Sequence, residues 1–256
     1  MNYENIIFNV ENHVARITIN RPPLNILDIK TLSELIQAFK EIPKLEALKA
    51  IVITGAGTKS FSAGVSIQDH LPKDVETMIP FFDGMFREMI KFQAPTIAVV
   101  NGWALGGGAE LALFCDMVIA SEKSQIGQVD ITLGGFAPLA LAAYPFYINK
   151  KKCYEMLFLG DKVSAAEAEK MGLVNWVVPE EKLKEKEEEV VGKLRKLSSV
   201  AIAASKRAMA LTFNNAFKIV LDDTEKIYMD SFPKSEDYVE GLTSYLEKRS
   251  PVWKEK

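Results

Sequence analysis

An apolar strand that runs straight into a glycine cluster constrains this chain more than any other feature. Residues 96–100 read as a short buried strand. Asn101-Gly102-Trp103-Ala104-Leu105-Gly106-Gly107-Gly108-Ala109-Glu110-Leu111 follows, with a helix expected to begin near the glycine triplet. Glycines at a helix start let backbone N–H groups approach a ligand, and the helix dipole favours negative charge there. A second turn of this kind, Phe61-Ser62-Ala63-Gly64-Val65-Ser66, follows the apolar stretch 50–54. Side by side, two such turns aim two amides at one carbonyl oxygen, which is the geometry of an oxyanion hole.

The rest of the chain supports an α/β frame. Residues 5–10 and 14–19 alternate apolar and polar around Glu11-Asn12-His13, the pattern of a β-hairpin. Asp28 precedes an amphipathic helix (Ile29, Leu32, Leu35, Ile36, Phe39, Ile42) as its N-cap. Residues 75–92 read as a helix and 117–120 as a buried strand, so strands and helices alternate as parallel pairing requires. Beyond Lys150 the patterns are helical, at 150–159, 164–171, 180–197, 200–230 and 235–247, with one strand at 173–178. Residues 131–149 carry no charge, but Gly134, Gly135, Pro138 and Pro145 interrupt them, and they read as buried core.

Composition removes several kinds of chemistry. Two cysteines and two histidines in 256 residues leave no zinc spacing and no disulfide framework, which points to a reducing compartment. A net charge of −3 gives no basic field for nucleic acid or anionic membrane. The amino-terminal stretch mixes acidic and polar residues into its apolar ones and does not read as a signal peptide. Gly55-Ala56-Gly57-Thr58-Lys59-Ser60 lacks the spacing of a phosphate loop, and Gly106 and Gly108 lack the third glycine of a dinucleotide fingerprint. Gly64-Val65-Ser66-Ile67-Gln68 lacks the last glycine of a nucleophile elbow. His70 reads as a structural or surface histidine. What remains is carboxylates, backbone amides and shape. Glu110 sits in the first turn of its helix among Ala109, Leu111, Ala112, Leu113 and Phe114, surroundings that bury a carboxyl and raise its pKa. Asp130 reads as either a loop cap or its partner.

The combination NGxALGGGxEL, an upstream FSAG, a downstream IGQxD and a terminal EGLxxYLEKR resembles the crotonase (enoyl-CoA hydratase/isomerase) superfamily over essentially the whole chain. The resemblance implies a crotonase fold, an α/β core of ββα repeats at 1–195 with a helical trimerisation region at 196–256. It implies a hydro-lyase acting on an acyl-CoA thioester, with Val65 and Gly107 as the oxyanion hole and Glu110 and Asp130 as the acid/base carboxylates. It also implies substrate or CoA contacts from Lys59, Ser62, Ala63, Gly64, Ser66, Ile67, Gly106, Phe136, Pro138 and Lys248. No metal and no separate cofactor is expected, since coenzyme A enters with the substrate. The expected assembly is a homotrimer or a dimer of trimers, cytoplasmic, with neither nucleic acid nor membrane as partner.

Some positions depart from the common pattern. Ser66 stands where an aspartate is frequent, Val129 replaces a proline, and Asp130 is one methylene shorter than the usual glutamate. The segment 134–140 is almost wholly apolar. FSxGxSxxxHLP and GxFAP resemble the cyclohexa-1,5-diene-1-carbonyl-CoA hydratase subgroup, which implies hydration of a conjugated cyclic dienoyl-CoA to 6-hydroxycyclohex-1-ene-1-carbonyl-CoA. The alternatives are hydration or isomerisation of a linear enoyl-CoA, and a non-catalytic acyl-CoA- or RNA-binding role.

Overall fold

The computed structural model describes residues 3–256, the Thr212 side chain apart. Met1 and Asn2, the start of the stretch read above as no signal peptide, lie outside the described residues. The expected hairpin forms from β1 (Ile6–Glu11) and β2 (Val14–Ile19), with Glu11 opposite Val14. Asn12 and His13 both have positive φ, 50° and 62°, and their turn matches the twist of the flanking strands. Glu11 therefore joins the strand, leaving a two-residue loop. Asp28 accepts the Thr31 N–H at 2.8 Å and caps α1 (Ile29–Glu41).

Three strand–strand–helix units follow. The first is β3 (Ala50–Gly55), β4 (Ser60–Ser62) and α2 (Val75–Met89). The second is β5 (Thr96–Val100), β6 (Trp103–Leu105) and α3 (Gly107–Phe114). The third is β7 (Met117–Ser121), β8 (Gln125–Gly127) and α4 (Pro138–Ala143), extended by α5 (Lys150–Leu159). The chain continues through β9 (Lys162–Ser164), α6 (Ala165–Met171), β10 (Trp176–Val178), α7 (Leu183–Arg195), α8 (Ser199–Ser231) and α9 (Glu236–Leu246).

The first strand of each unit enters a six-stranded sheet of order β1-β2-β3-β5-β7-β10, parallel except at β1. The second strand enters a four-stranded sheet of order β4-β6-β8-β9, parallel except at β9. This α/β architecture of repeated units with a helical carboxy-terminal region is the expected fold. The second sheet itself escapes the sequence reading, because three residues are too few for an alternation pattern.

Most of the uncharged run 131–149 packs into the core, with Leu139, Ala140, Ala143 and Tyr144 fully buried, while Thr132, Pro145, Phe146 and Asn149 are exposed. Among the described residues no helix is long and apolar enough to cross a membrane. The strand expected at 173–178 shrinks to Trp176–Val178. Gly172 ends α6 at φ 84°, and the N–H groups of Leu173 and Val174 both turn back to the Ala168 carbonyl, at 2.9 and 3.3 Å. Helix termination thus consumes the residues that would have begun the strand.

Candidate active site

The turn after β4 is fixed by a single bridge to Leu27. The Leu27 N–H donates to the Gly64 carbonyl at 3.0 Å, and the Ser66 N–H donates to the Leu27 carbonyl at 3.1 Å. In a parallel bridge the neighbours of the central residue make the bonds, so the N–H of Val65 faces away from Leu27. The turn after β6 ends at Gly107, the first residue of α3, whose N–H has no partner within its own helix. The two turns abut. A Cβ on Gly64, where φ is +102°, would lie 2.8 Å from the Leu105 carbonyl oxygen and 3.5 Å from the Gly107 nitrogen. Val65 and Gly107 line one open cleft, bordered also by Ala63, Gly106, Asp130 and Phe136.

The two carboxyl groups differ in their surroundings. Glu110, on the first turn of α3, is 2% exposed and accepts the Ala140 N–H at 2.8 Å. Pro138 opens α4, so Ala140 presents one of that helix's free first-turn amides. Burial, and after it the Asp130 charge, pushes the Glu110 carboxyl well above the usual carboxylate range, opposed by the Ala140 bond. Glu110 lines neither the cleft nor the cavity beside it. Asp130 begins a 3-10 turn and does line the cleft, with its carboxylate 3.3 Å from where a Gly106 Cβ would stand. Burial raises its pKa, and the charge of nearby His70 opposes the rise.

Of the residues expected from sequence, the structure brings Ala63, Gly64, Val65, Ile67, Gly106, Gly107, Asp130 and Phe136 to the cleft. The others lie off its wall. Lys59 extends over the Trp103 ring, 5.5 Å from its centroid. The Ser62 hydroxyl accepts the Gly64 N–H at 3.2 Å and shapes the turn from behind. Ser66 donates to Gln68 at 3.3 Å. Pro138 starts α4, and Lys248 follows α9 on the surface.

Seven cleft residues were not singled out as site residues, and three of them, His70, Tyr228 and Tyr238, carry polar side-chain groups. His70 was read as structural, yet it lines the cleft. Its Nδ1–H donates to the Ser66 carbonyl at 2.8 Å, which keeps the ring fixed. Tyr228 and Tyr238, from α8 and α9, share a hydrogen bond at 2.9 Å, and the Tyr238 hydroxyl donates to the His70 carbonyl at 2.7 Å. HLP after the first turn was the only local signal for His70. The tyrosines carried none, because they arrive from more than 90 residues away. Among the described residues no group of three or more His, Cys, Asp or Glu is arranged to hold a metal ion.

Comparisons with known proteins identify relatives along nearly the whole chain. The family model described as enoyl-CoA hydratase/isomerase matches residues 9–256. A crotonyl-CoA hydratase of Syntrophomonas wolfei is 34% identical, over 97% of this chain and 97% of its own. A cyclohexa-1,5-dienecarbonyl-CoA hydratase of Thauera aromatica is 29% identical, over 95% of this chain and 93% of its own. The crystal structure of an enoyl-CoA hydratase from Mycobacterium avium subsp. paratuberculosis superposes with a TM-score of 0.89 at 27% identity, covering 99% of this chain and all of that one. With its strand–strand–helix repeats, its paired glycine turns and this match over nearly its whole length, the chain belongs to the enoyl-CoA hydratase/isomerase family.

Proposed function

We propose that this enzyme, which has the enoyl-CoA hydratase-type activity of its family, adds water across the α,β double bond of a linear 2-enoyl-CoA. One observation carries the reading: the outward-facing amides of Val65 and Gly107 border the same cleft as Asp130. The thioester carbonyl oxygen sits against the two N–H groups, which hold the charge that develops when the β-carbon is attacked. Asp130 is the cleft carboxylate, and with His70 favouring its ionised form it takes the proton from the attacking water. Glu110 is the neutral member of the pair. Its Oε1 accepts the Ala140 N–H, which leaves Oε2 to carry the proton that the α-carbon receives. The Asp130 charge acts on the Glu110 carboxyl, so the pH dependence of the rate belongs to the pair. The segment 59–67 and Lys248 are the proposed contacts for the coenzyme A moiety.

A second reading, hydration of a conjugated cyclic dienoyl-CoA, is favoured by the aromatic wall beside Asp130. Phe136 packs edge-on against Tyr228 at 5.4 Å and Phe232 at 5.0 Å, a flat apolar surface suited to a carbocycle. Hydroxide would attack the ring carbon β to the thioester, and the resulting dienolate would be protonated at its far end. Turnover of crotonyl-CoA and of cyclohexa-1,5-diene-1-carbonyl-CoA by the purified protein decides between the readings. Crotonyl-CoA is expected to react faster. The reverse order transfers the assignment to the ring, and no turnover of either overturns both.

Self-association through the carboxy-terminal helices, as a trimer or a dimer of trimers, is part of the same proposal. Val200, Met209, Leu211 and Ile219 expose 62–81% of their surface along α8, an apolar load suited to a partner copy. Sedimentation of the full chain tests it, and a monomer would refute it.

A further inference from the structure

Adding water to a double bond calls for two partners of the attacking oxygen, one to take a proton and one to fix where the oxygen stands. Only one of the two proposed carboxyls is at the cleft, since Asp130 lines it and Glu110 does not. Besides Asp130, the polar side chains on the cleft wall are His70, Tyr228 and Tyr238. Each tyrosine hydroxyl has one hydrogen to give, and both are spent. That of Tyr238 goes to the His70 carbonyl at 2.7 Å, and that of Tyr228 to the Tyr238 oxygen at 2.9 Å. Both tyrosines are also buried, whereas His70 is half-buried.

His70 keeps one ring atom free. A carbonyl oxygen only accepts, so its bond to Ser66 comes from Nδ1–H, and that bond is made by the neutral and the charged ring alike. Nε2 makes no hydrogen bond to the described residues and keeps accessible surface. The two turns place the ring. His70 is bonded to Ser66, the neighbour of Val65, and the Asp130 carboxylate lies against Gly106, the neighbour of Gly107. Ring and carboxylate therefore flank the amide pair, close enough for the His70 charge to act on Asp130. Tyr238 holds the main chain of His70 from α9, so the residue is anchored through its ring and through its backbone.

We propose that His70 is a third catalytic side chain, whose Nε2 is the second hydrogen-bond partner of the attacking water. The neutral ring accepts one hydrogen of the water, and the charged ring donates to its oxygen, so the water is held in either state. The water oxygen bonds to the β-carbon, one of its hydrogens passes to Asp130 as a proton, and Glu110 supplies the hydrogen of the α-carbon. His70 ends the step with the protons it began with. The assignment rests on the hydratase reading above.

The test separates the two ring nitrogens. His70→Asn places an amide N–H where Nδ1–H stands and keeps the donor for Ser66 without Nε2. His70→Gln places its amide where Nε2 stands and gives up the Ser66 bond. Both kcat and KM are measured with crotonyl-CoA or cyclohexa-1,5-diene-1-carbonyl-CoA, whichever the wild type turns over faster. His70→Asn should lose roughly 10²-fold in kcat with KM within about threefold of the wild type, because the group left unplaced is the water and not the thioester. His70→Gln should stay within about tenfold of the wild-type kcat. A merely structural role for the ring predicts the opposite order, with His70→Asn the milder change. The proposal is overturned if His70→Asn keeps kcat within about threefold of the wild type, or if His70→Gln loses as much as His70→Asn. Should either variant not fold, His70→Ala with added imidazole decides. Recovery of kcat by about tenfold supports the role of Nε2, and no recovery overturns it. Any of these overturning results, in an enzyme whose wild type turns over either ester, spares the hydratase reading. Absence of turnover of both esters by the wild type defeats the hydratase reading, and the His70 assignment with it.

Discussion

Two interior helices each bury an acid, and they do so on different terms. Glu110 on α3 is 2% exposed and Asp83 on α2 is 1% exposed, and burial is the largest cause raising the pKa of each. Glu110 has the Ala140 amide aimed at it, with the cleft glycines one turn away. Neither Asp83 oxygen has a hydrogen-bond partner as an ionised carboxylate. Its neighbours are Glu225, close enough to share a proton, then the Glu110 charge, with Arg87 opposing. Arg87 is itself engaged by Asp222 at 2.7 Å and Glu225 at 2.8 Å across the seam between α2 and α8. Burial alone therefore does not single out the acid proposed for catalysis. What sets Glu110 apart from Asp83 is a preorganised donor and a place beside the cleft.

The comparison breaks most readily at the carboxylates. Asp130→Asn and Glu110→Gln should each lower kcat for crotonyl-CoA by roughly 10²–10⁴-fold, measured by loss of the enoyl thioester absorbance. Glu110→Gln should also raise the unfolding midpoint, because it replaces a buried acid with a neutral isostere. A Glu110→Gln enzyme of wild-type rate would remove Glu110 from the mechanism. Gly107→Ala comes next, at roughly 10²–10³-fold in kcat. The added Cβ would meet Val65 Cγ2 at 2.8 Å and Phe82 Cε2 at 2.9 Å, so the methyl displaces the turn that carries the other amide.

The pH dependence of stability has a definite sign. Asp83, Glu110 and Asp130 hold their protons more tightly folded than unfolded. The folded chain thus binds more protons between the ordinary carboxylate range and the raised values. Their contribution to stability is greatest below that range and declines as pH rises through the raised values. Denaturant unfolding across pH should show the decline, and Glu110→Gln should flatten it. The smallest effect is Asp83→Asn, with kcat changed by less than about tenfold and stability at neutral pH raised by on the order of 1 kcal/mol. A kcat loss for Asp83→Asn as large as that of Glu110→Gln would erase the distinction between the two acids.

Local features were readable where the chemistry is local. Ser164 caps α6 through a reciprocal box with Glu167, Gly172 stops that helix, and Asp28 caps α1, all within a few residues. The two glycine turns, Glu110 and Asp130 were readable because the motifs that carry them are contiguous. Asp83 carried no such signal. It sits in an ordinary amphipathic pattern, and only the arrival of α8 turns it into a buried acid beside Glu225. His70 likewise gains its place when Tyr238 bonds its carbonyl.

By itself the sequence determined the strand–helix alternation, the caps, the two amide-bearing turns and the identity of two acids, since each depends on near neighbours. The tertiary structure alone decided that four three-residue strands form a second sheet and bring those turns together. It also set the two acids apart in position, with Asp130 at the cleft and Glu110 behind it against Ala140. The reason is physical. Desolvation, proximity of charges and unpaired donors depend on which distant segments pack together, and no local pattern encodes that.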